Sequence, residues 1–157
     1  MARQPIQVHI YLFRKSRDGY EYAIFQRSDL TVCWQGICGG LEDGETVIEG
    51  ARREIFEESG IKGDLPLFKL DTTSYLPDKI IADNERAHWC DDVVVIPMYY
   101  FAMEYDGEIK LSDEHLQYKW MSYHEAHEVI YFDDQKTALY ELNELLLRNK
   151  LDKTRIY

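Results

Sequence analysis

The stretch from residue 39 to residue 61 constrains this 157-residue chain more than any other part of it. It opens with the pair Gly39-Gly40, and apolar residues then recur at helical spacing. Thr46 and Glu49 have the spacing of a capping box, in which the two side chains satisfy the first free N–H groups of a helix. Gly60 stands where a left-handed residue would end that helix. The stretch therefore predicts a glycine-rich loop followed by one capped helix.

Three glutamates of the predicted helix, Glu54, Glu57 and Glu58, occupy positions i, i+3 and i+4. Their carboxylates share one edge of the helix, where like charges repel by roughly 0.2–0.5 kcal/mol per pair. A hard divalent cation would reverse that repulsion, because Mg²⁺, Mn²⁺ and Ca²⁺ accept carboxylate oxygens. The alternative is a solvated acidic helix face. The glycine loop before the glutamates and the helix end after them favour the metal site.

The whole pattern resembles the signature of the Nudix hydrolases without a departure. It reads Gly39, five residues, Glu45, seven residues, then Arg53-Glu54-Ile55-Phe56-Glu57-Glu58-Ser59-Gly60-Ile61. The resemblance implies metal-assisted hydrolysis of a phosphoanhydride, with Mg²⁺ as the cofactor and Mn²⁺ as a substitute. It implies that the three helix glutamates bind metal or activate water, and that Arg53 and Glu45 orient them. The Gly39-Gly40 backbone would lie close to metal and phosphate, where a side chain would obstruct it.

A second stretch, from Ser112 to Trp120, resembles a segment of two Nudix subfamilies. These are the bacterial dihydroneopterin triphosphate pyrophosphohydrolases and the asymmetric diadenosine tetraphosphate hydrolases. In both, the glutamate of an E-H-x-x-Y-x-W run reaches back to the metal cluster, so Glu114 is expected as a fourth carboxylate. A solvated turn residue is the alternative. His115 is a candidate for phosphate contact, with a packed or hydrogen-bonded histidine as the alternative.

The region before the glycine loop bears on the substrate. Arg27-Ser28-Asp29, leading to Trp34-Gln35, resembles the pterin-triphosphate subfamily more closely. The diadenosine enzymes tend to carry a Trp-x-x-Pro-Lys-Gly run, from which residues 34–39 depart. Trp34 could stack on a base or pterin, as aromatic faces do, or belong to the core. Pro77, sixteen residues after Ile61, lies close to where ADP-ribose hydrolases of the family carry a proline.

These observations predict a metal-dependent hydrolase that converts dihydroneopterin triphosphate or a dNTP to the monophosphate and pyrophosphate. The alternatives are a dinucleoside tetraphosphate or ADP-ribose hydrolase, and a non-catalytic nucleotide-binding protein of the same family. Non-catalytic members usually lose glutamates that this chain keeps. The predicted catalytic residues are Arg53, Glu54, Glu57 and Glu114; the metal-binding residues Gly39, Glu54, Glu57, Glu58 and Glu114; and the substrate-binding residues Arg27, Trp34, Gly40, Glu45 and His115.

Charge and composition limit the partners. A net charge of −11 argues against a nucleic-acid surface, so the expected partner is a small polyphosphate that arrives with its metal ions. Several cations could assist: Arg14, Lys15, Arg17, Arg27 and Lys119. The three cysteines lack a C-x-x-C pair, which suits reduced thiols in the cytoplasm. No apolar run reaches the roughly 18 residues of a membrane span, and no secretory signal is visible. A homodimer is compatible with the many tyrosines.

The order of periodic segments predicts an α/β fold, a mixed β-sheet between helices in an α/β/α sandwich, as in the Nudix fold. One domain is expected over residues 1–150, followed by a tail over 151–157. Strands are expected over 8–13, 20–27, 32–38, 68–76, 93–103 and 115–121. The segment 77–91 is expected to be a substrate-facing loop, and Asp106-Gly107 to be a hairpin turn. Ser122 and Asp133 are expected to cap the last two helices.

Overall fold

The computed structural model describes residues 2–157 and contains a mixed seven-stranded sheet with helices on both faces. The strands are β1 (Arg3–Ser16), β2 (Gly19–Arg27), β3 (Trp34–Gln35), β4 (Ile37–Glu42), β5 (Phe68–Pro77), β6 (Val95–Glu104) and β7 (His115–Met121). The helices are α1 (Val47–Ser59), α2 (Asp83–Arg86), α3 (Tyr123–Val129) and α4 (Asp133–Leu147). The predicted α/β sandwich is therefore confirmed.

Strand β1 organises the sheet. Its first half pairs antiparallel with β4 and its second half antiparallel with β2, while β6 runs parallel along its other side. The order across the sheet is β3-β2-β1-β6-β5, and β7 pairs with β2. Val8, Ile10 and Leu12 face the core beneath α1, whereas Tyr11 and Phe13 face α3 and α4. This alternation is what a strand buried on both faces requires.

Helix α1 begins and ends where the sequence predicts. The Thr46 hydroxyl accepts from the Glu49 N–H at 3.2 Å, and the Glu49 carboxylate accepts from the Thr46 N–H at 2.9 Å. Gly60 adopts φ +77°, a left-handed conformation in which its N–H reaches the Phe56 carbonyl. Ala51 and Ile55 bury the inner side of the helix. The helix is thereby fixed between the glycine loop and the sheet.

Two strand predictions need correction. The strand expected over 32–38 is two strands, β3 and β4, interrupted at Gly36. A side chain at Gly36 would lie 2.6 Å from His9 Cε1, so the imidazole of β1 occupies that space. The hairpin expected at Asp106-Gly107 is absent from the described residues 2–157, because β6 pairs with β1 and β5 while β7 pairs with β2. The turn signal is local, whereas the pairing is set by the parallel contact between β1 and β6.

The connections after β5 carry more structure than the sequence predicts. The segment 77–91 holds a 3₁₀ turn and the short helix α2, and its Trp89 indole donates to the Arg3 carbonyl at 2.6 Å. Ser122 caps α3 as predicted. For α4 the prediction is wrong: Phe132 occupies the cap position without a side-chain cap, and Asp133 is the first helical residue. In the segment 151–157 the Tyr157 N–H donates to the Leu67 carbonyl at 2.9 Å.

No helix within residues 2–157 has the length and apolar character needed to span a membrane.

Candidate active site

The Arg53 side chain connects the glycine loop to the acidic edge of α1. Its Nη2 donates to the Gly40 carbonyl at 2.8 Å and to Glu45 Oε2 at 3.0 Å. Its Nη1 donates to Glu54 Oε1 at 2.9 Å and to Glu57 Oε2 at 3.2 Å. The hydrogen bonds with Glu45 raise the pKa of the guanidinium, and they lower the pKa of the Glu45 carboxyl. Arg53 therefore fixes carboxylates on both the loop and the helix.

Glu54 lies directly against the backbone of β4. A Cβ atom on Gly39 would overlap the Glu54 carboxylate, so a residue without a side chain is required there. Only 7% of Glu54 is exposed, and this burial raises the pKa of its carboxyl to about 7, although Arg53 favours the ionised form. The neighbouring Glu57 and Glu58 add to the increase because they carry like charge.

Glu58, near the end of α1, is 2% exposed and contacts the segment that precedes β7. The Ser112 hydroxyl donates to Glu58 Oε2 at 3.1 Å, and His115 Nδ1 lies 2.7 Å from the same oxygen. The His115 contact is short but poorly aligned for a hydrogen bond. Burial opposes ionisation of Glu58, yet His115, Glu114 and Ser112 together lower its pKa.

Glu114 sits beside Glu58 at the start of β7. The contact between the two carboxyl groups, together with partial burial, raises the pKa of Glu114. Two carboxyl groups so close titrate as a pair. The Ser28 N–H donates to the Glu114 carbonyl at 2.9 Å, and the Ser28 hydroxyl to the Asp113 carbonyl at 3.0 Å. The end of β2 thus anchors the backbone that carries Glu114.

The four predicted carboxylates form one acidic region across α1 and the start of β7, and its chemistry fits divalent cations. Burial and neighbouring carboxylates raise the pKa of Glu54, and the contact with Glu58 raises that of Glu114. Carboxylate oxygens are the donors that Mg²⁺ and Mn²⁺ accept. Within residues 2–157, no group of three or more His, Cys, Asp or Glu side chains already converges as a ligand set. Cation binding therefore requires side-chain rotation, which the exposed Glu57 (49% of its side chain) permits.

The predicted substrate-binding residues lie in different surroundings. Trp34 is half-buried on β3, with Lys119 Nζ 5.7 Å from its ring centroid. Arg27, which pairs with His115 in the register of β2 and β7, donates two hydrogen bonds to Asp29 at 2.8 and 2.6 Å. His115 is turned inward against Glu58, and its side chain is 4% exposed. Arg27 therefore lies beside the start of β7, next to Glu114, whereas Trp34 packs against the core cluster on the face of the sheet that carries α3 and α4.

Two residues of the site were missed in the sequence. Ser112 donates to Glu58, and Arg3 lays its guanidinium against the backbone of Gly40. Ser112 opens the stretch that resembles the two subfamilies, but its contact with Glu58, like the placement of Arg3, depends on tertiary structure. Among the cations that the sequence suggested, Arg14 pairs instead with Glu21 and Asp106.

The deciding observation for the family is a match to the NUDIX domain model over residues 4–142, which include the glycine loop, α1 and Glu114. The chain belongs to the Nudix family. It is accordingly a pyrophosphohydrolase that acts on phosphoanhydride bonds, and enzymes of this family generally need divalent metal ions. The Nudix assignment made from the sequence is confirmed.

Relatives of this Nudix protein include members of both subfamilies that the sequence resembles. The asymmetrical bis(5'-nucleosyl)-tetraphosphatase of Rattus norvegicus is 30% identical over 130 residues, which are 80% of each chain. The dihydroneopterin triphosphate diphosphatase of Escherichia coli K12 is 26% identical over 121 residues, 76% of this chain and 79% of the relative. A NUDIX hydrolase structure from Listeria monocytogenes superposes with a TM-score of 0.80 at 34% identity, covering 95% of this chain and 99% of that one.

Proposed function

We propose that this Nudix hydrolase cleaves a nucleoside or pterin triphosphate to the monophosphate and pyrophosphate. The observation that carries the proposal is the placement of Glu54. Arg53 holds its carboxylate against the backbone of Gly39, and the pKa of the carboxyl is raised to about 7. A group that must accept a proton works best when its pKa is near the working pH. Dihydroneopterin triphosphate and the dNTPs are the substrates proposed.

Glu54, Glu57, Glu58 and Glu114 would hold the divalent ions, Mg²⁺ or, as a substitute, Mn²⁺. When bound, such ions neutralise phosphate charge and lower the pKa of water. Arg53 donates hydrogen bonds to both Glu54 and the Gly40 carbonyl, so it fixes the carboxylate relative to the glycine loop. Both groups would therefore contact the phosphate chain of the substrate. The contacts of Glu58 Oε2 with His115 and Ser112 hold the Glu58 carboxylate in place.

In the proposed reaction the oxygen of water attacks the α-phosphorus. The bond from that phosphorus to the bridging oxygen breaks, and its electron pair remains on the departing pyrophosphate. Glu54 accepts the proton of the attacking water, since its raised pKa makes it a competent base near neutral pH. Glu114, whose pKa is also raised, is the second candidate for this role.

The pterin substrate is favoured by the residues that precede the glycine loop. Trp34 presents a half-buried aromatic ring on β3, and the run Arg27–Asp29 resembles the pterin-triphosphate subfamily. The E. coli relative named for dihydroneopterin triphosphate supports the same choice. The 30% identity to the rat tetraphosphatase favours dinucleoside tetraphosphates as the second candidate. The argument for ADP-ribose as the substrate rests on Pro77, which is the last residue of β5. We place the reaction in the cytoplasm.

The test is a hydrolysis panel of dihydroneopterin triphosphate, dATP, diadenosine tetraphosphate and ADP-ribose with Mg²⁺, with products identified and EDTA as the control. The proposal predicts pyrophosphate as the product, released fastest from the pterin. ATP plus AMP released fastest from the dinucleotide would establish the second candidate instead. If no substrate gave a metal-dependent product, the proposed hydrolysis would be refuted and a binding role favoured.

A further inference from the structure

Arg3, at the start of β1, is a partly satisfied cation beside the glycine loop. A Cβ atom on Gly40 would overlap its guanidinium, so the planar group lies flat against the backbone at that residue. Nη2 donates to Gln7 Oε1, and Nη1 makes a long contact of 3.4 Å with Glu85. The buried Nε finds no hydrogen-bond partner in the part of the chain that the structure describes. A buried unpaired donor is costly, so this guanidinium is short of an acceptor.

Arg3 and Glu54 flank the same two residues of β4 from opposite faces. Successive residues of a strand point to opposite sides, and the space beside Gly39 is filled by Glu54 whereas that beside Gly40 is filled by Arg3. A phosphate chain that crosses this bare backbone would therefore have the proposed base on one side and Arg3 on the other.

The strand register sets the direction of such a chain. In the pairing of β1 with β4, Arg3 lies opposite Glu42, beyond Gly40, while Cys38 and then Trp34 lie in the other direction. A heterocycle stacked at Trp34 would send its phosphates past Gly39 toward Arg3. The α-phosphate would stop at Glu54, and the terminal phosphates would continue to the guanidinium.

Charge supports the same placement. Arg53 is engaged by four carboxylates and Arg27 by Asp29. The Glu85 partner of Arg3 has a side chain that is 43% exposed, so its hold on the guanidinium is weak. Phosphate oxygens accept two parallel hydrogen bonds from an arginine fork and carry more charge than one distant carboxylate.

We infer that Arg3 binds the terminal phosphate groups of the substrate, the portion that leaves as pyrophosphate. The inference rests on the proposed function and names a residue for one part of the substrate. Arg3 exchanges its contact with Glu85 for phosphate oxygens, and Gln7 keeps the guanidinium in place.

The test is calorimetric titration of inorganic pyrophosphate, and separately of AMP, into each protein in Mg²⁺. Arg3→Gln keeps the stem and loses the fork, so the dissociation constant for pyrophosphate should rise about 10- to 100-fold, the range for lost hydrogen bonds to charged groups. Binding of AMP should change less than about 3-fold, because a monophosphate does not reach Arg3. Arg3→Lys should recover part of the loss, and Glu85→Gln, the matched control, should bind pyrophosphate at least as tightly as wild type.

The inference is overturned if wild type fails to bind pyrophosphate at millimolar concentration, if Arg3→Gln binds it as wild type does, or if AMP is weakened equally. Melting temperatures of the variants show whether any of them is unfolded. If Arg3→Gln is unfolded, pyrophosphate binding by Arg3→Lys, which keeps the stem and the charge, is compared with that of wild type. Failure of the proposed function is a separate result, because it would be seen as absent turnover by the wild-type enzyme. Pyrophosphate binding does not depend on turnover.

Discussion

The substitution Glu54→Gln should make the metal-free protein more stable while removing its activity. Glu54 is buried, and its carboxyl is raised in pKa from the usual 4.5 to about 7. Ionisation is therefore more costly in the folded protein than in the unfolded chain. Glutamine keeps the shape and the oxygen that accepts from Arg53, but it carries no charge to desolvate.

The magnitude follows from the linkage between protonation and folding. A pKa of about 7 against 4.5 corresponds to about 3 kcal/mol, at about 1.4 kcal/mol per pKa unit. The pKa of Glu54 is higher in the folded protein than in the unfolded chain, so ionisation of Glu54 destabilises the fold. This destabilisation is absent well below pH 4.5, grows between pH 4.5 and about pH 7, and is constant above that range. The expected gain from Glu54→Gln is thus about 1 kcal/mol at pH 5 and about 3 kcal/mol at pH 8.

The assay is urea unfolding of both proteins in EDTA at pH 5 and at pH 8. Glu57→Gln is the matched control, since it removes the same charge from the same helix at an exposed ion pair, and it should change the stability by less than about 1 kcal/mol. Turnover of Glu54→Gln should fall by about 10²- to 10⁴-fold, the usual contribution of a general base. A Glu54→Gln protein that is no more stable than wild type at pH 8 would refute the reasoning.

Three further predictions concern the loop, the metal and the sheet. Gly39→Ala should lower kcat/KM by about 100-fold, because the added methyl displaces the Glu54 carboxylate by about 1 Å; steady-state kinetics at wild-type level would contradict this. Mg²⁺ affinity, measured by calorimetry, should be lower at pH 6 than at pH 8, because Glu54 and Glu114 must each lose a proton to bind the ion. Each of the two groups should contribute a decrease of about tenfold. An affinity that does not change with pH would exclude these two residues as ligands. Glu141→Ala should cost about 1–3 kcal/mol in urea unfolding, because the carboxylate accepts two backbone N–H groups (2.6 and 2.9 Å) at the bulge of β5. The control Glu144→Ala, at an exposed pair, should cost less than about 0.5 kcal/mol, and equal costs would argue against the role of the bulge.

Local signals account for the parts of the fold that the sequence predicts. The helix α1 is bounded by a capping box and a left-handed glycine, which act within a few residues of one another. The hairpin predicted at Asp106-Gly107 is wrong because β6 pairs with β1 and β5, while β7, the next strand in the sequence, pairs with β2. The division of the strand at Gly36 depends on the His9 ring of β1, which no local pattern reveals.

The candidate site divides in the same way. Glu54, Glu57 and Glu58 could be grouped from their helical spacing alone, and Arg53 from the family pattern. The contact of Glu58 with Ser112 and His115 requires β7 to lie beside the end of α1, so it could not be predicted. Arg3 joins the site only because β1 pairs with β4.

The central claim is that water attacks the α-phosphorus of a triphosphate substrate. The most direct measurement is turnover of dihydroneopterin triphosphate in ¹⁸O-labelled water with Mg²⁺, followed by mass spectrometry of both products. We predict one ¹⁸O atom in the pterin monophosphate, none in the pyrophosphate, and no turnover in EDTA. Label in pyrophosphate or orthophosphate, with an unlabelled pterin product, would contradict the account.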